Sequence, residues 1–97
     1  MEIKKTMDGL NVTIAVTGRV DTATAPEFEA GLQLAGTETL TLDLSGVPYM
    51  SSAGLRCLLT AQKKVMAGGG AMTLTGVQPA VKEVLDITGF SSILTIA

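Results

Sequence analysis

Strict alternation of polar and apolar residues at positions 39–44 constrains the fold of this chain more than any other feature. Three leucines alternate there with two threonines and an aspartate, a pattern that is typical of a β-strand and too short for an ordinary helix. A loop pattern that includes Pro48 follows, and apolar residues at helical spacing resume at position 55. A central strand that leads through a short loop into a helix predicts an α/β fold.

The segments on either side of this unit supply more strands. Residues 3–7 and 10–17 predict a hairpin that is joined at Asp8-Gly9, a dipeptide suited to the positive φ angles of a tight turn. Residues 71–75 and 92–96 predict two further short strands. On the second strand, alternation places four residues on one buried face: Leu10, Val12, Ile14 and Val16.

Three segments predict helices. The first begins at residues 24–27, where Thr24 and Glu27 match a capping box and Pro26 is tolerated in the first turn. The second begins near Ser52 and stops before the three glycines at 68–70, and the third opens at Gln78-Pro79 and ends before Gly89. The predicted apolar faces are Phe28, Leu32 and Ala35, with Gly36 as terminator, in the first helix, then Leu55, Leu58, Leu59, Gln62, Val65 and Met66, then Val81, Val84, Leu85 and Thr88.

The resulting order of elements, β-β-α-β-α-β-α-β, predicts a mixed β-sheet with three to four helices packed against it. Ninety-seven residues are enough for one hydrophobic core, and no linker or internal repeat divides the chain. We therefore expect a single α/β domain over residues 1–97.

Composition excludes several classes of function. The chain has no histidine, which excludes hydrolytic triads and histidine-containing zinc sites, so we expect no catalytic residue, no metal and no cofactor. A net charge of −2 without a basic stripe makes nucleic acid an unsuitable partner. No apolar run approaches the ~20 residues that span a bilayer, so we expect a cytoplasmic protein without membrane insertion. The single cysteine, Cys57, lies in an apolar stripe and is predicted to be a small buried side chain.

Two serines, Ser51 and Ser52, lie at the predicted start of the second helix, beyond the carboxyl end of the central strand. Partners and ligands of open α/β sheets meet the loops at this end. One interpretation is that a serine caps the helix and stabilises it by ~1 kcal/mol. The other is that a serine accepts a phosphate, because the N–H groups and the positive dipole end of a helix N-terminus tolerate a doubly negative group. Spacing alone leaves both interpretations open.

Two motifs of this sequence resemble those of the STAS domain family, and most closely those of its stand-alone anti-sigma factor antagonists. Residues 18–25, GRVDTATA, are similar to the family's G-x-(hydrophobic)-D-x-x-T-A, and residues 43–45, DLS, with 50–55, MSSAGL, match its second motif. The spacing between the two motifs and the order of elements agree with the family over nearly the whole chain. The resemblance implies a STAS-like fold.

The resemblance also implies a partner-switching cycle. In that cycle the unphosphorylated antagonist binds an anti-sigma factor that is also its serine kinase, and this binding releases a sigma factor. Phosphorylation ends the binding, and a serine phosphatase resets the cycle. By motif position the family's phosphoserine falls on Ser52, and Asp21 matches an acidic residue expected to border the same surface. We expect the protein to be a monomer.

One departure from the family concerns Ser51, because many antagonists carry Asp at that position. Ser51 therefore stays open as the alternative phosphoacceptor. Gly54 is open to two interpretations, close approach of a partner's backbone and relief of crowding inside the domain. We expect a small, partly apolar patch for partner binding, and its predicted members are Asp21, Met50, Ser51, Ser52, Gly54, Leu55 and Arg56.

Two other functions compete with this one. STAS domains also accompany membrane transporters and lipid-transport ATPases, so the chain could be a constitutive subunit of a transport or signalling assembly in which Ser52 is an ordinary cap. A small-molecule or nucleotide-binding enzyme is disfavoured, because no general base is apparent and the glycines at 68–70 lack the Lys-Ser/Thr of a phosphate-binding loop.

Overall fold

The computed structural model describes residues 1–32 and 39–97. Within these ranges the elements follow the predicted order, which confirms the α/β class with a mixed sheet. The predictions for Ala35 and Gly36 lie outside the described residues. The elements are β1 (Glu2–Asp8), β2 (Asn11–Thr17), α1 (Ala25–Gly31), β3 (Thr39–Gly46), α2 (Ser52–Ala67), β4 (Ala71–Thr75), α3 (Pro79–Ile87), a 3₁₀ turn (Phe90–Ser92) and β5 (Thr95–Ile96).

The strands of the described ranges form one five-stranded sheet in the order β1-β2-β3-β4-β5, with β3 in the centre as predicted. β1 is antiparallel to β2, and every other pair of neighbours is parallel. Each parallel pair needs a crossover connection, which α1, α2 and α3 supply in turn. These crossovers all progress in one direction across the sheet. Because such crossovers are right-handed as a rule, we expect the helices to lie on the same face.

The two faces of the sheet differ in chemistry. On the helix side, β2, β3 and β4 contribute buried apolar residues, namely Val12, Ile14, Val16, Leu40, Leu42, Leu44, Met72 and Leu74. On the opposite side, five threonines pair in register across all five strands, namely Thr6, Thr13, Thr41, Thr73 and Thr95. Threonine combines a β-branched side chain with a hydroxyl group, so it suits a strand whose outer face meets water.

The hairpin turn lies one residue later than predicted. Asp8 pairs with Asn11, so the two loop residues are Gly9 and Leu10. Gly9 adopts a φ of +61°, which the first position of a two-residue hairpin turn favours. Leu10 consequently belongs to the turn and is 68% exposed, so the prediction that it lies on the buried face of β2 is wrong.

α1 begins through a capping box that lies one turn before the predicted one. Thr24 makes no side-chain hydrogen bond to the helix, so the predicted pairing of Thr24 with Glu27 is wrong. Instead the Asp21 carboxylate accepts the N–H groups of Ala23 and Thr24, each at 3.0 Å, and the Thr24 hydroxyl accepts the N–H of Asp21 at 2.9 Å. This reciprocal exchange is the geometry of a capping box.

The far ends of α2 and α3 also differ from prediction. Met66 is 61% exposed, because the buried stripe of α2 follows Leu55, Leu58, Gln62 and Val65 and passes beside it. Thr88 is exposed as well, since it is the C-cap of α3, where its hydroxyl donates to the carbonyl of Val84.

The C-terminal strand is shorter than predicted, because residues 90–92 form the 3₁₀ turn. Across the ranges that the structure describes, the helices are too short or too polar to cross a membrane.

Candidate functional site

A short strand pairing outside the main sheet brings together the two motifs that resemble the STAS family. Val20, in the segment before α1, forms an isolated parallel bridge with Met50, in the loop before α2. The N–H of Val20 donates to the carbonyl of Tyr49 at 3.0 Å, and the N–H of Ser51 donates to the carbonyl of Val20 at 2.8 Å. The bridge fixes the starts of α1 and α2 side by side at the carboxyl ends of β2 and β3.

The two serines occupy different positions at the start of α2. Ser51 is the N-cap residue, with extended backbone angles, and Ser52 is the first helical residue. Ser52 is exposed, whereas the Ser51 hydroxyl oxygen is buried and has no hydrogen-bond partner among the described residues. The Ser51 side chain makes no capping hydrogen bond, so it does not stabilise the helix in the way a capping serine does.

The N-terminus of α2 is electrostatically suited to a negative charge. The first turn of α2 contains no acidic residue, and no side chain caps its backbone N–H groups. Those N–H groups have no acceptor within the helix, and the helix dipole places partial positive charge at the same end. A phosphate on Ser52 would therefore meet uncapped donors and no carboxylate within the helical turn.

Three members of the predicted binding patch belong to the core. Met50 is 1% exposed, Leu55 is 3% exposed, and Gly54 is buried. An added Cβ at Gly54 would lie 2.6 Å from both Met50 Cγ and Val20 Cγ1. Gly54 therefore relieves crowding where α2 closes over the bridge, and these three residues support the surface without forming it.

The exposed groups near Ser52 include two arginines. Arg56 is exposed one turn along α2. The Arg19 guanidinium lies 4.8 Å from the centre of the Tyr49 ring and 4.0 Å from an Asp21 carboxylate oxygen. The sequence analysis missed both the Arg19–Tyr49 contact and the Val20 bridge. The one available signal was an apolar Val20 in the middle of a polar turn.

Asp21 is held rigidly at the edge of this surface. The hydrogen bond from the backbone N–H of Thr24 lowers the pKa of its carboxyl group, and bonds from the Thr24 hydroxyl and the Ala23 N–H act in the same direction. Asp21 thus remains ionised beside the start of α2, and its main structural role is the capping box of α1.

A groove of about 240 Å³ separates α1 from α2 next to this surface. Ala25, Ala53 and Cys57 line it together with Glu29 and Arg56. Cys57 is 8% exposed, as its prediction as a small buried side chain requires, and burial raises the pKa of its thiol. In the described parts of the chain, no cluster of acidic, cysteine or histidine side chains is arranged to hold a metal ion.

Comparison with protein families and curated sequences identifies relatives over almost the full chain. The model of the STAS domain matches residues 2–97. A protein of Bordetella bronchiseptica that is named as an anti-sigma factor antagonist, BtrV, is 36% identical over 98% of this chain and 86% of its own length. The anti-sigma-B factor antagonist of Listeria monocytogenes is 31% identical over 99% of this chain and 86% of its own length.

Solved structures show the same fold. The anti-sigma factor antagonist SpoIIAA in its unphosphorylated form superposes with a TM-score of 0.79 at 22% identity, covering 99% of this chain and 88% of its own. The Bacillus cell fate determinant SpoIIAA in its phosphorylated form gives a TM-score of 0.75 at 19% identity, covering 99% of this chain and 91% of its own. The five strands and three α-helices of the described residues therefore form a fold that is already known from solved structures.

Proposed function

The chain belongs to the STAS domain family, as its two sequence motifs predicted, and we propose that it is an anti-sigma factor antagonist that acts by partner switching. Its unphosphorylated form binds an anti-sigma factor and thereby releases a sigma factor. Phosphorylation of Ser52 ends this binding.

The observation that carries the proposal is that Ser52, at the first position of α2, is an exposed residue. Ser52 is presented next to the bridged segment, while the Ser51 hydroxyl oxygen is buried. A kinase has to reach the acceptor oxygen, so the difference in exposure favours Ser52 over Ser51.

The switch follows from charge. Transfer of the γ-phosphoryl group of ATP to Ser52 Oγ displaces ADP, releases the hydroxyl proton and adds a charge of about −2 at neutral pH. In an interface that excludes water, this charge opposes binding by desolvation and by repulsion from acidic groups. The fold tolerates the modification, because Ser52 is exposed and the first turn of α2 lacks acidic residues.

The binding surface that we propose is smaller than the patch predicted from sequence. It is formed by Asp21, Ser52 and Arg56, and Tyr49 lies beside them with 43% of its surface exposed. Ser51 is half-buried as a residue, but we leave it out because its hydroxyl oxygen is buried. Met50, Gly54 and Leu55 contribute by holding α2 against the Val20 bridge.

The proposed partners follow from this cycle. The anti-sigma factor is also the serine kinase that phosphorylates Ser52, and a serine phosphatase removes the phosphate. The chain works in the cytoplasm as a monomeric binding protein and catalyses no reaction itself. In this proposal, the three α-helices of the described residues support the binding surface around Ser52.

Phosphorylation by the cognate anti-sigma kinase tests the proposal. Wild type, Ser52→Ala and Ser51→Ala are incubated with the kinase and radiolabelled ATP. We expect label on wild type and on Ser51→Ala, and none on Ser52→Ala. Equal labelling of Ser52→Ala and wild type would show that the acceptor is not Ser52.

Binding is measured on the same proteins to test the second half of the cycle. The unphosphorylated protein should form a complex with the anti-sigma factor, and stoichiometric phosphorylation should dissolve it. A complex that survives phosphorylation would instead favour a constitutive STAS subunit. Circular dichroism before and after phosphorylation controls for loss of the fold.

A further inference from the structure

The exposed Arg56 lies one helical turn after Ser52 on α2. We propose that Arg56 is the internal counter-charge of the switch: once Ser52 is phosphorylated, the Arg56 guanidinium pairs with the phosphate in the same molecule. This inference rests on the proposed function in one respect only, namely that Ser52 is the residue that becomes phosphorylated.

Helix geometry brings the two groups together. Positions 52 and 56 are an i,i+4 pair, whose Cβ atoms lie about 5–6 Å apart on one side of a helix. Long side chains in helices lean toward the helix N-terminus, so an arginine at position 56 is able to reach the turn that carries Ser52. The order is also the favourable one, with the negative group N-terminal to the positive group.

The guanidinium of Arg56 is available for this role. Among the ion pairs and hydrogen bonds of the described residues, none engages it. Arg19, the other arginine near the site, is already held over the Tyr49 ring and beside Asp21. A guanidinium also matches a phosphate with two parallel N–H···O bonds, which a lysine ammonium group cannot do.

Nearby carboxylates offer little competition for Arg56. One carboxylate oxygen of Asp21 accepts the N–H groups of Ala23 and Thr24, and its other oxygen faces Arg19. Position 51, directly before the phosphoacceptor, adds no carboxylate because it is Ser51. Among the described residues, Glu29 lines the same groove as Arg56 from the α1 side, so its carboxylate is a competitor of the phosphate for Arg56.

The pair has a consequence for the switch itself. A neighbouring positive charge favours the doubly charged form of the phosphate and lowers the pKa of its second ionisation, which is about 6 for an isolated phosphoserine. Arg56 therefore keeps the modification fully charged at neutral pH. It also draws a cation away from the binding surface at the moment when a negative charge is added.

The test uses protein in which phosphoserine is incorporated at position 52 during translation, so no kinase is required. ³¹P NMR follows the titration of the phosphate between pH 4.5 and 8 in the otherwise wild-type protein and in Arg56→Gln. We expect the midpoint in Arg56→Gln to lie about 0.15 to 0.4 pH units higher, the shift that corresponds to an i,i+4 ion pair.

Arg19→Gln is the matched control, since it removes the same charge from an arginine that already has partners. Its midpoint should move by less than half of the Arg56→Gln shift. Unchanged titration in Arg56→Gln, or an equal shift in the two variants, would overturn the pairing, because the phosphate would then sense only net charge. Circular dichroism on each variant establishes that the titration reports on folded protein.

The two proposals fail in different ways. If the kinase does not label Ser52 but the titration shift is found, the proposed function is wrong and the Arg56 pairing remains. If labelling occurs at Ser52 but the titration is unaffected by Arg56→Gln, the function remains and the pairing is wrong.

Discussion

Gly54 of α2 lies directly against Val20 of the bridged segment, so closely that an added Cβ would be 2.6 Å from Val20 Cγ1. Val20 is fully buried, and its β-branched side chain has little rotameric freedom with which to move aside. The same added atom would lie 2.6 Å from Met50 Cγ. The first turn of α2, which carries Ser52, therefore packs against the Val20–Met50 bridge through Gly54, a residue without a side chain.

Replacement of Gly54 by alanine should destabilise the protein. Alanine is favoured over glycine inside a helix by about 1 kcal/mol, but overpacking of a well-packed core costs about 1 to 3 kcal/mol. We expect a net loss of up to about 2 kcal/mol in the free energy of unfolding, measured by urea denaturation. Gly31→Ala is the control, because there the added Cβ would meet the flexible end of Ile3 and should cost less. Equal costs would contradict the seating of α2 on Val20.

Ser51→Ala should not destabilise the protein, although Ser51 is the N-cap of α2. Its hydroxyl oxygen is buried without a partner, so removing it relieves a desolvated polar atom. We expect the free energy of unfolding to be unchanged or raised by up to about 1 kcal/mol, whereas loss of a capping serine lowers it by about that amount. Thr24→Ala is the comparison: it breaks the capping box of α1 and should lower the free energy of unfolding by about 1 kcal/mol.

Asp21 should make stability depend on pH on the acid side. Its pKa is lowered in the folded state, chiefly by the N–H of Thr24, so it binds a proton less readily when folded than when unfolded. The stability that it contributes is present above its unfolded pKa of about 3.9 and is lost as pH falls through the lower folded value. Asp21→Asn keeps a hydrogen-bond acceptor without titrating, so its urea midpoint should fall less than that of wild type between pH 5 and pH 3. Parallel curves would contradict this role.

The threonine row predicts a position-dependent cost of substitution. Thr41 lies on the central strand between Thr13 and Thr73, whereas Thr6 lies on an edge strand with Thr13 as its single neighbour in the row. Cross-strand pairs contribute about 0.2 to 1 kcal/mol each, so Thr41→Ala should lower the free energy of unfolding by about 0.5 to 1 kcal/mol and Thr6→Ala by less. Urea denaturation of both variants checks the order, and a greater loss in Thr6→Ala would contradict it.

Local periodicity was sufficient to predict the elements and their order. The strands and helices in residues 39–75 are encoded by side-chain spacing that does not depend on distant parts of the chain. Turn and cap positions were less predictable, because neighbouring solutions compete. Alternation extended as far as Leu10 even though the hairpin hydrogen bonds place it in the turn, and two capping-box patterns overlapped at Thr24.

The candidate site was predicted in part. The motif around Ser52 indicated where α2 begins, but side-chain spacing did not reveal which of Ser51 and Ser52 is exposed. Met50 is buried where it bridges to Val20, a contact between segments 30 residues apart that no local pattern encodes. The sequence motifs therefore indicated where the proposed binding surface lies. Which of their residues are exposed on it depends on packing between segments that are distant in the sequence.

Ser52→Asp should weaken partner binding while preserving the fold. The substituted carboxylate lies at a helix N-terminus, where a negative charge stabilises by about 0.3 to 1 kcal/mol, so unfolding in urea should be unchanged or shifted slightly upward. Binding to the anti-sigma factor, measured by calorimetry, should weaken at least about tenfold, with a smaller loss at high salt because exposed charges are screened. Ser52→Asn is the matched control: it has nearly the same shape without the charge and should retain most of the affinity. If Ser52→Asp and Ser52→Asn bind equally, shape rather than charge governs the surface, and the electrostatic account of the switch is wrong.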